Sequence, residues 1–217
     1  MRPRTKAERE LQWWQEELYR IAMWYHGHIE SLWGIPSPGP HDVLPGFEGA
    51  IAAFRHADKD RYQNLLQLPG GAYGHVLDIG SGPLCPATWL GGTCFAAEPL
   101  AADFIKIGYP MDAWGAVLVP HPAENLWMFP DRFFDCIVSN NAMDHVDDFE
   151  TVALEIQRLA KPGATIRLNI CYRHEPTLSE PQVIDDARVH AAFNRLRLTR
   201  IREQGPEESK EVLWGIS

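Results

Sequence analysis

Val76-Leu77-Asp78-Ile79-Gly80-Ser81-Gly82-Pro83 is an apolar run that ends in an acid and turns through two glycines, the pattern of a buried strand delivering its carboxyl end to a ligand. A second apolar segment, Thr93-Cys94-Phe95-Ala96-Ala97, follows and ends in an acid, Glu98. Two such strand ends side by side form the crevice where open α/β sheets bind nucleoside cofactors, with the acid placed for ribose hydroxyls. A pyrophosphate requires a third glycine, so that the next helix packs close and presents its N-terminus. Here Gly82 is followed by Pro83, Leu84 and Cys85. The turn therefore suits a cofactor that has an adenosine, no phosphate and a cationic amino-acid end, and it speaks against a nicotinamide dehydrogenase.

Outward from this stretch, strand and helix patterns alternate: strands at 75–79, 93–98, 115–119, 133–139 and 164–171, helices at 83–90, 99–108 and 147–160. Repeated alternation predicts an α/β fold with a doubly wound, mainly parallel sheet and helices on both faces. A helix over 181–194 and two strands, 196–204 and 211–216, flank the Gly205-Pro206 turn and finish the chain, with no appended C-terminal domain expected. Upstream, Thr5-Lys6-Ala7-Glu8 spells a capping box. The helix it starts carries Leu11, Trp14, Leu18, Ile21, Ala22, Tyr25 and Ile29 at helical spacing. It ends at the Pro- and Gly-rich segment from Gly34 to Pro45, and a second helix is expected from Phe47 to Leu68. This divides the chain into an N-terminal helical cap, residues 1–70, and an α/β domain, residues 71–217.

Composition bounds the function. With 217 residues, 45% hydrophobic and 23% charged, the chain can bury a sizeable core, and no apolar run has the length to span a bilayer. The opening Met1-Arg2-Pro3-Arg4 leads into charged residues instead of an apolar stretch, so a cytoplasmic protein is expected. A net charge of −9 excludes an extended nucleic-acid footprint, which draws on clustered cations. Arg195, Arg197, Arg200 and Arg202 alternate along a strand pattern and read as a solvated sheet face. Cys85, Cys94, Cys136 and Cys171 have no C-x-x-C spacing and read as buried apolar side chains.

Five motifs, in order, resemble those of the class I S-adenosylmethionine-dependent methyltransferases: Asp78-x-Gly80-x-Gly82; Ala97-Glu98-Pro99; Ala123-Glu124-Asn125-Leu126; Phe133 to Asn140 followed by Asn141-Ala142-Met143-Asp144-His145-Val146; and Leu159-Ala160-Lys161-Pro162-Gly163-Ala164 before a fifth strand. Together they cover roughly residues 74 to 171. The resemblance implies a seven-stranded sheet with an antiparallel seventh strand and S-adenosyl-L-methionine as cofactor. It further implies that Asp78, Gly80, Ser81 and Gly82 meet the amino-acid end, Glu98 and Pro99 the ribose, and Ala123 and Glu124 the adenine, with Asn140 at the cofactor-facing end of the fourth strand. Pro122 stands where the family often has an acid for the adenine amino group, and Trp127 replaces a common proline.

Methyl transfer needs in-line alignment, water exclusion and, for a weakly acidic acceptor, a base. His145 is the candidate base, since an unperturbed imidazole titrates near neutrality, and equally a residue that shapes the pocket or caps the next helix. Tyr172 and His174, after the fifth strand, are candidates for binding substrate, or for holding the loop that follows. Tyr25 and His26 sit in an aromatic stretch that either packs the first helix onto the core or covers the methyl donor as a lid. His145, His174, Asp144 and Glu175 offer metal-ligating atoms without any ligand spacing, so no metal is expected. Two functional classes follow: an enzyme methylating oxygen or nitrogen on a metabolite or sugar, or a catalytically silent methyltransferase-like binding subunit. The intact Asp78, Gly80, Gly82 and Glu98 favour the enzyme, with a small molecule as its partner.

Overall fold

β1 (His75–Ile79) is an inner strand of a seven-stranded sheet in the computed structural model, which describes residues 5–33, 47–68, 73–206 and 209–216, without the side chains of 22–33, 47 and 209. The strand order is β3 (Val117–Val119), β2 (Thr93–Ala97), β1, β4 (Phe134–Asn140), β5 (Ala160–Arg173), β7 (Ser209–Ile216), β6 (Leu198–Gln204). β3 through β5 run parallel, and β7 is inserted antiparallel between β5 and β6. The winding direction reverses between β1 and β4, so the carboxyl ends of those strands open a crevice.

Strands buried on both faces must be apolar at both parities. Leu77, Ile79, Ile137, Leu168 and Ile170 pack against α4 (Phe149–Leu159) and α5 (Asp186–Ala192) on one face. Val76, Cys94, Cys136 and Val138 face Tyr62 and Leu66 of α2 (Phe47–Leu66) on the other. α1 (Lys6–Trp33) adds Ile21, which is buried with Ile51, Ala96 and Phe104; Phe104 lies on α3 (Ala101–Lys106). Both N-terminal helices thus share their cores with the sheet. All four cysteines are buried and free. No helix among the described residues is long and apolar enough to cross a membrane.

The capping box forms as spelled: Thr5 Oγ1 accepts from the Glu8 amide at 3.2 Å, and Glu8 Oε2 accepts from the Thr5 amide at 2.8 Å. Three boundaries differ most from the sequence reading. The helix expected at 83–90 is a short 3-10 turn over Pro86–Leu90, because Pro83 and Pro86 cannot donate and Cys85 takes a left-handed φ of 42°. β5 starts at Ala160 instead of 164, since Lys161-Pro162-Gly163 forms a bulge between the pairs Phe134↔Ala160 and Cys136↔Thr165. α5 begins at Asp186, capped by Asp185, because the residues before it are held elsewhere: Gln182 donates its amide to the Asp144 carbonyl at 3.2 Å.

Candidate active site

The two glycines after β1 adopt left-handed φ values, 62° at Gly80 and 56° at Gly82, which only glycine takes without cost. Their bare faces meet protein. A Cβ on Gly80 would collide with Ala142 Cβ, and one on Gly82 would stand 3.2 Å from the Trp14 ring of α1. The turn is thereby pinned between the loop after β4 and the first helix, and a side chain at either position strains the fold as well as the crevice. Trp14 is held in turn by Tyr109, whose hydroxyl donates to the Trp14 carbonyl at 3.0 Å.

Two carboxylates end β1 and β2. Asp78 is 1% exposed; its Oδ2 accepts from the Ala87 amide at 3.3 Å, and burial pushes its pKa up to about 7. Glu98 is 7% exposed and accepts from the Leu100 amide at 3.0 Å and the Gly82 amide at 3.1 Å. Burial raises its pKa too, against those two amides. An ionised carboxylate has about four acceptor sites, so Glu98 keeps capacity for hydroxyl donors.

At the far side of the crevice, His145 Nδ1 lies 3.7 Å from Glu10 Oε2, and its Nε2 lies 3.9 Å from both Asp144 Oδ1 and Glu180 Oε1. Burial alone would lower the imidazole pKa, but these three carboxylates outweigh it and the net direction is upward. Lys6 donates to the His145 carbonyl and pairs with Asp147 at 3.0 Å, so the first turn of α1 is fastened to the same loop. Asn140 Oδ1 accepts from Asn169 Nδ2 at 3.0 Å, and Asn169 also donates to Glu211 at 3.1 Å.

A cavity of about 1470 Å³ runs along these carboxyl ends, under α1. Asp78, Gly80, Ser81, Gly82, Glu98, Pro99, Ala123, Glu124, Asn140 and His145 all line it. Glu124, however, spends its Oε1 on the amides of Asp147 (2.7 Å) and Asp148 (3.1 Å), anchoring the start of α4. Tyr172 must be corrected: it shares parity with Leu168 and Ile170, so it is buried in the core on the α5 side. There it donates to Asp186 at 3.1 Å and accepts from Trp214 at 2.9 Å. His174 is exposed and does not line the cavity; the chain after β5 contributes Ser179 and Glu180 instead. Tyr25 and His26 lie on α1, but their side chains fall outside the described residues. Glu10 and Glu17 of α1, missed from sequence, line the cavity at helical spacing together with Trp13 and Trp14 of the aromatic stretch. Arg202, read as part of a solvated face, also lines it.

Residues 77–168, from β1 to β5, match the family described as Methyltransferase domain. That segment has the pattern of a methyltransferase domain, and its fold is shared with S-adenosylmethionine-dependent methyltransferases of known structure. A search of the curated proteins finds no match. Among solved structures, the YcgJ protein from Bacillus subtilis is 17% identical, with 74% of this chain and 98% of that one covered and a TM-score of 0.56. A Haloferax volcanii methyltransferase in complex with its activator is 16% identical, over 79% and 97% of the chains, with a TM-score of 0.56. The Burkholderia thailandensis 1,6-didemethyltoxoflavin-N1-methyltransferase, bound to its substrate and S-adenosylhomocysteine, is 15% identical over 84% and 92%, with a TM-score of 0.51. At such identities the likeness is one of fold. The donor set suits S-adenosylmethionine: two buried carboxylates of raised pKa gain from hydroxyl donors and a cationic ligand.

Proposed function

We propose that this methyltransferase acts on a small-molecule acceptor, at an oxygen or nitrogen, held between the cofactor crevice and the inner face of α1. The observation that carries this reading is the cover: Trp14 against Gly82 and Lys6 on the His145 carbonyl close the crevice with a helix. The volume beneath, about 1470 Å³, exceeds the roughly 300–1,000 Å³ of a typical ligand pocket, leaving room for an acceptor beside the cofactor. A helix across the mouth favours a small molecule over a polymer.

In this reading Glu98 and Pro99 hold the ribose, Ala123 and Glu124 border the adenine, and Asp78 with the Gly80-Ser81-Gly82 turn receives the amino-acid end. S-adenosylmethionine supplies an electrophilic sulfonium methyl when bound. The chain's own residues align the acceptor with that methyl and exclude water. His145 faces the acceptor end, where Glu10, Asp144 and Glu180 favour its protonated form; base action by His145 would have to overcome that preference. A silent binding subunit has no use for two buried carboxylates lining a cofactor crevice, which favours the enzyme. The test is transfer of labelled methyl from S-adenosylmethionine into a fractionated extract. The expected outcome is label in the low-mass fraction, lost with Glu98→Ala; label confined to macromolecules, or no transfer by the intact chain, overturns the reading.

A further inference from the structure

We propose that Asp144, His145 and Glu180 form a binding site for one divalent transition-metal ion of the manganese or zinc type, on the edge of the methyltransferase cavity. One donor atom from each residue lies within 4.8 Å of the others, and the two distances from His145 Nε2 are both 3.9 Å. Donors about 2.1 Å from a common ion stand roughly 3–4 Å apart, so the triad needs only a small contraction.

Asp144 is the observation that points to a ligand. Its side chain is fully buried, and no donor of another residue reaches either carboxylate oxygen within hydrogen-bond distance, which leaves only its own backbone amide to favour the charged form. Arg173 Nε stands 3.9 Å from Oδ2, beyond hydrogen-bond reach, while that guanidinium spends its Nη2 on Glu180 Oε1 at 2.9 Å. A buried carboxylate without partners is costly, and a cation at Oδ1 removes the cost. His145 Nε2 is likewise buried and unpartnered, and it faces the same point.

The surroundings have the features of a metal site. Metal-ligating imidazoles usually meet a carboxylate through their other ring nitrogen, and His145 Nδ1 has Glu10 Oε2 at 3.7 Å. The two ligand-bearing loops are tied together by Gln182, whose side chain donates to the Asp147 carbonyl at 2.8 Å. Charge closes as well: with the imidazole neutral, Glu10, Asp144 and Glu180 carry three negative charges against Arg173, and a divalent ion brings the group to zero. Lys6 is engaged with Asp147. One nitrogen and two carboxylates suit manganese or zinc better than magnesium, which prefers oxygen throughout. Since His145 and Glu180 line the cavity, the ion would stand at the acceptor end, and His145 as ligand excludes His145 as base.

The test uses the full chain, stripped with a chelator and without cofactor, so it does not depend on the methyltransferase reading. Manganese binding is followed by electron paramagnetic resonance and zinc binding by calorimetry. We expect one saturable site and a melting temperature that rises with metal concentration. Asp144→Asn and, on the more accessible side, Glu180→Gln should each weaken binding at least about tenfold. Absence of saturable binding up to about 1 mM of either ion, or binding unchanged in both variants, overturns the site. S-adenosylhomocysteine affinity, measured separately, reports on the cofactor crevice alone.

Discussion

Glu98 accepts from the Gly82 and Leu100 amides, so it shapes the glycine turn before any ribose arrives. Glu98→Ala removes charged acceptors worth on the order of 1.5–3 kcal/mol, and S-adenosylhomocysteine affinity by calorimetry should fall roughly ten- to a hundredfold. Glu98→Gln keeps one amide-accepting oxygen and should fall less. Affinity unchanged in Glu98→Ala would remove Glu98 from the ribose site. Asp78 gives a pH signature of opposite sign to an ordinary salt-bridged acid. Its folded pKa of about 7 lies above the unfolded value of 3.8, so between those values the native state holds a proton that the unfolded chain releases. Asp78 therefore costs stability increasingly as pH rises from 4 to 7, and the cost is constant above. Glu98 adds to the upward push, and Tyr62, buried without a hydrogen-bond partner, gives Asp78 no relief. Asp78→Asn keeps an acceptor for the Ala87 amide and removes the charge. In denaturant melts its advantage over the parent should grow by up to about 1.4 kcal/mol per pH unit between pH 5 and 7, then level off. A difference independent of pH would show that Asp78 ionises normally.

α1 carries two kinds of contact at once, and a single residue separates them. Trp14 packs edge-on against Phe104 and Tyr109 at 5.8 Å between ring centres, and its rim closes on Gly82. Trp14→Ala keeps the Tyr109 bond, which goes to backbone, but opens the mouth of the cavity. Because Trp14 is only half-buried, the loss of stability should be about 2–3 kcal/mol, at or below the low end for an aromatic truncation in a core. S-adenosylhomocysteine should bind more weakly; a lower melting point with unchanged affinity would make Trp14 core alone. Thr5→Ala should cost about 1 kcal/mol by thermal melt, the usual value for a lost N-cap. That cap was legible because its pairing spans three residues, as were β1, β2 and their acids, whose signals are equally local. The bulge at Pro162 and Gly163 was not, since those residues read as a turn unless the neighbouring strand is known to pair across them. Tyr172 misled because a strand end has two faces, and parity with Ile170 sends it into the core while Arg173 points the other way, toward Asp144. Glu10 and Glu180 meet His145 only in the folded chain, across sequence separations that no periodicity encodes.

At the scale of the molecule, the question is whether the N-terminal helices are a cover or part of the core, and the structure divides the answer between them. α2 buries Tyr62 and Leu66 against Val76, Cys136 and Val138 in the central strands, so the sheet loses one of its faces without it. α1 lies outside that layer. It reaches the core through Ile21 and the partly buried Leu11, Trp14 and Leu18, and it reaches the cavity through Lys6, Glu10 and Trp14. A chain starting near Phe47 keeps α2, the seven strands and both helices of the opposite face, and loses chiefly the cover. Burying Ile21 and its neighbours is worth about 1.5–3 kcal/mol per large side chain, so the truncated chain should melt cooperatively but at a clearly lower temperature. Covering elements come from the less stable end of a fold, and a methyl transfer needs its water excluded. Transfer activity should therefore be abolished, and S-adenosylhomocysteine affinity should fall by more than the lowered stability explains. Calorimetry well below the melting point separates the two effects, because a folded chain that merely unfolds more readily still binds normally there. Normal affinity under those conditions would show that α1 contributes packing and no cover; a chain with no cooperative transition would place α1 in the core that the sheet requires to fold.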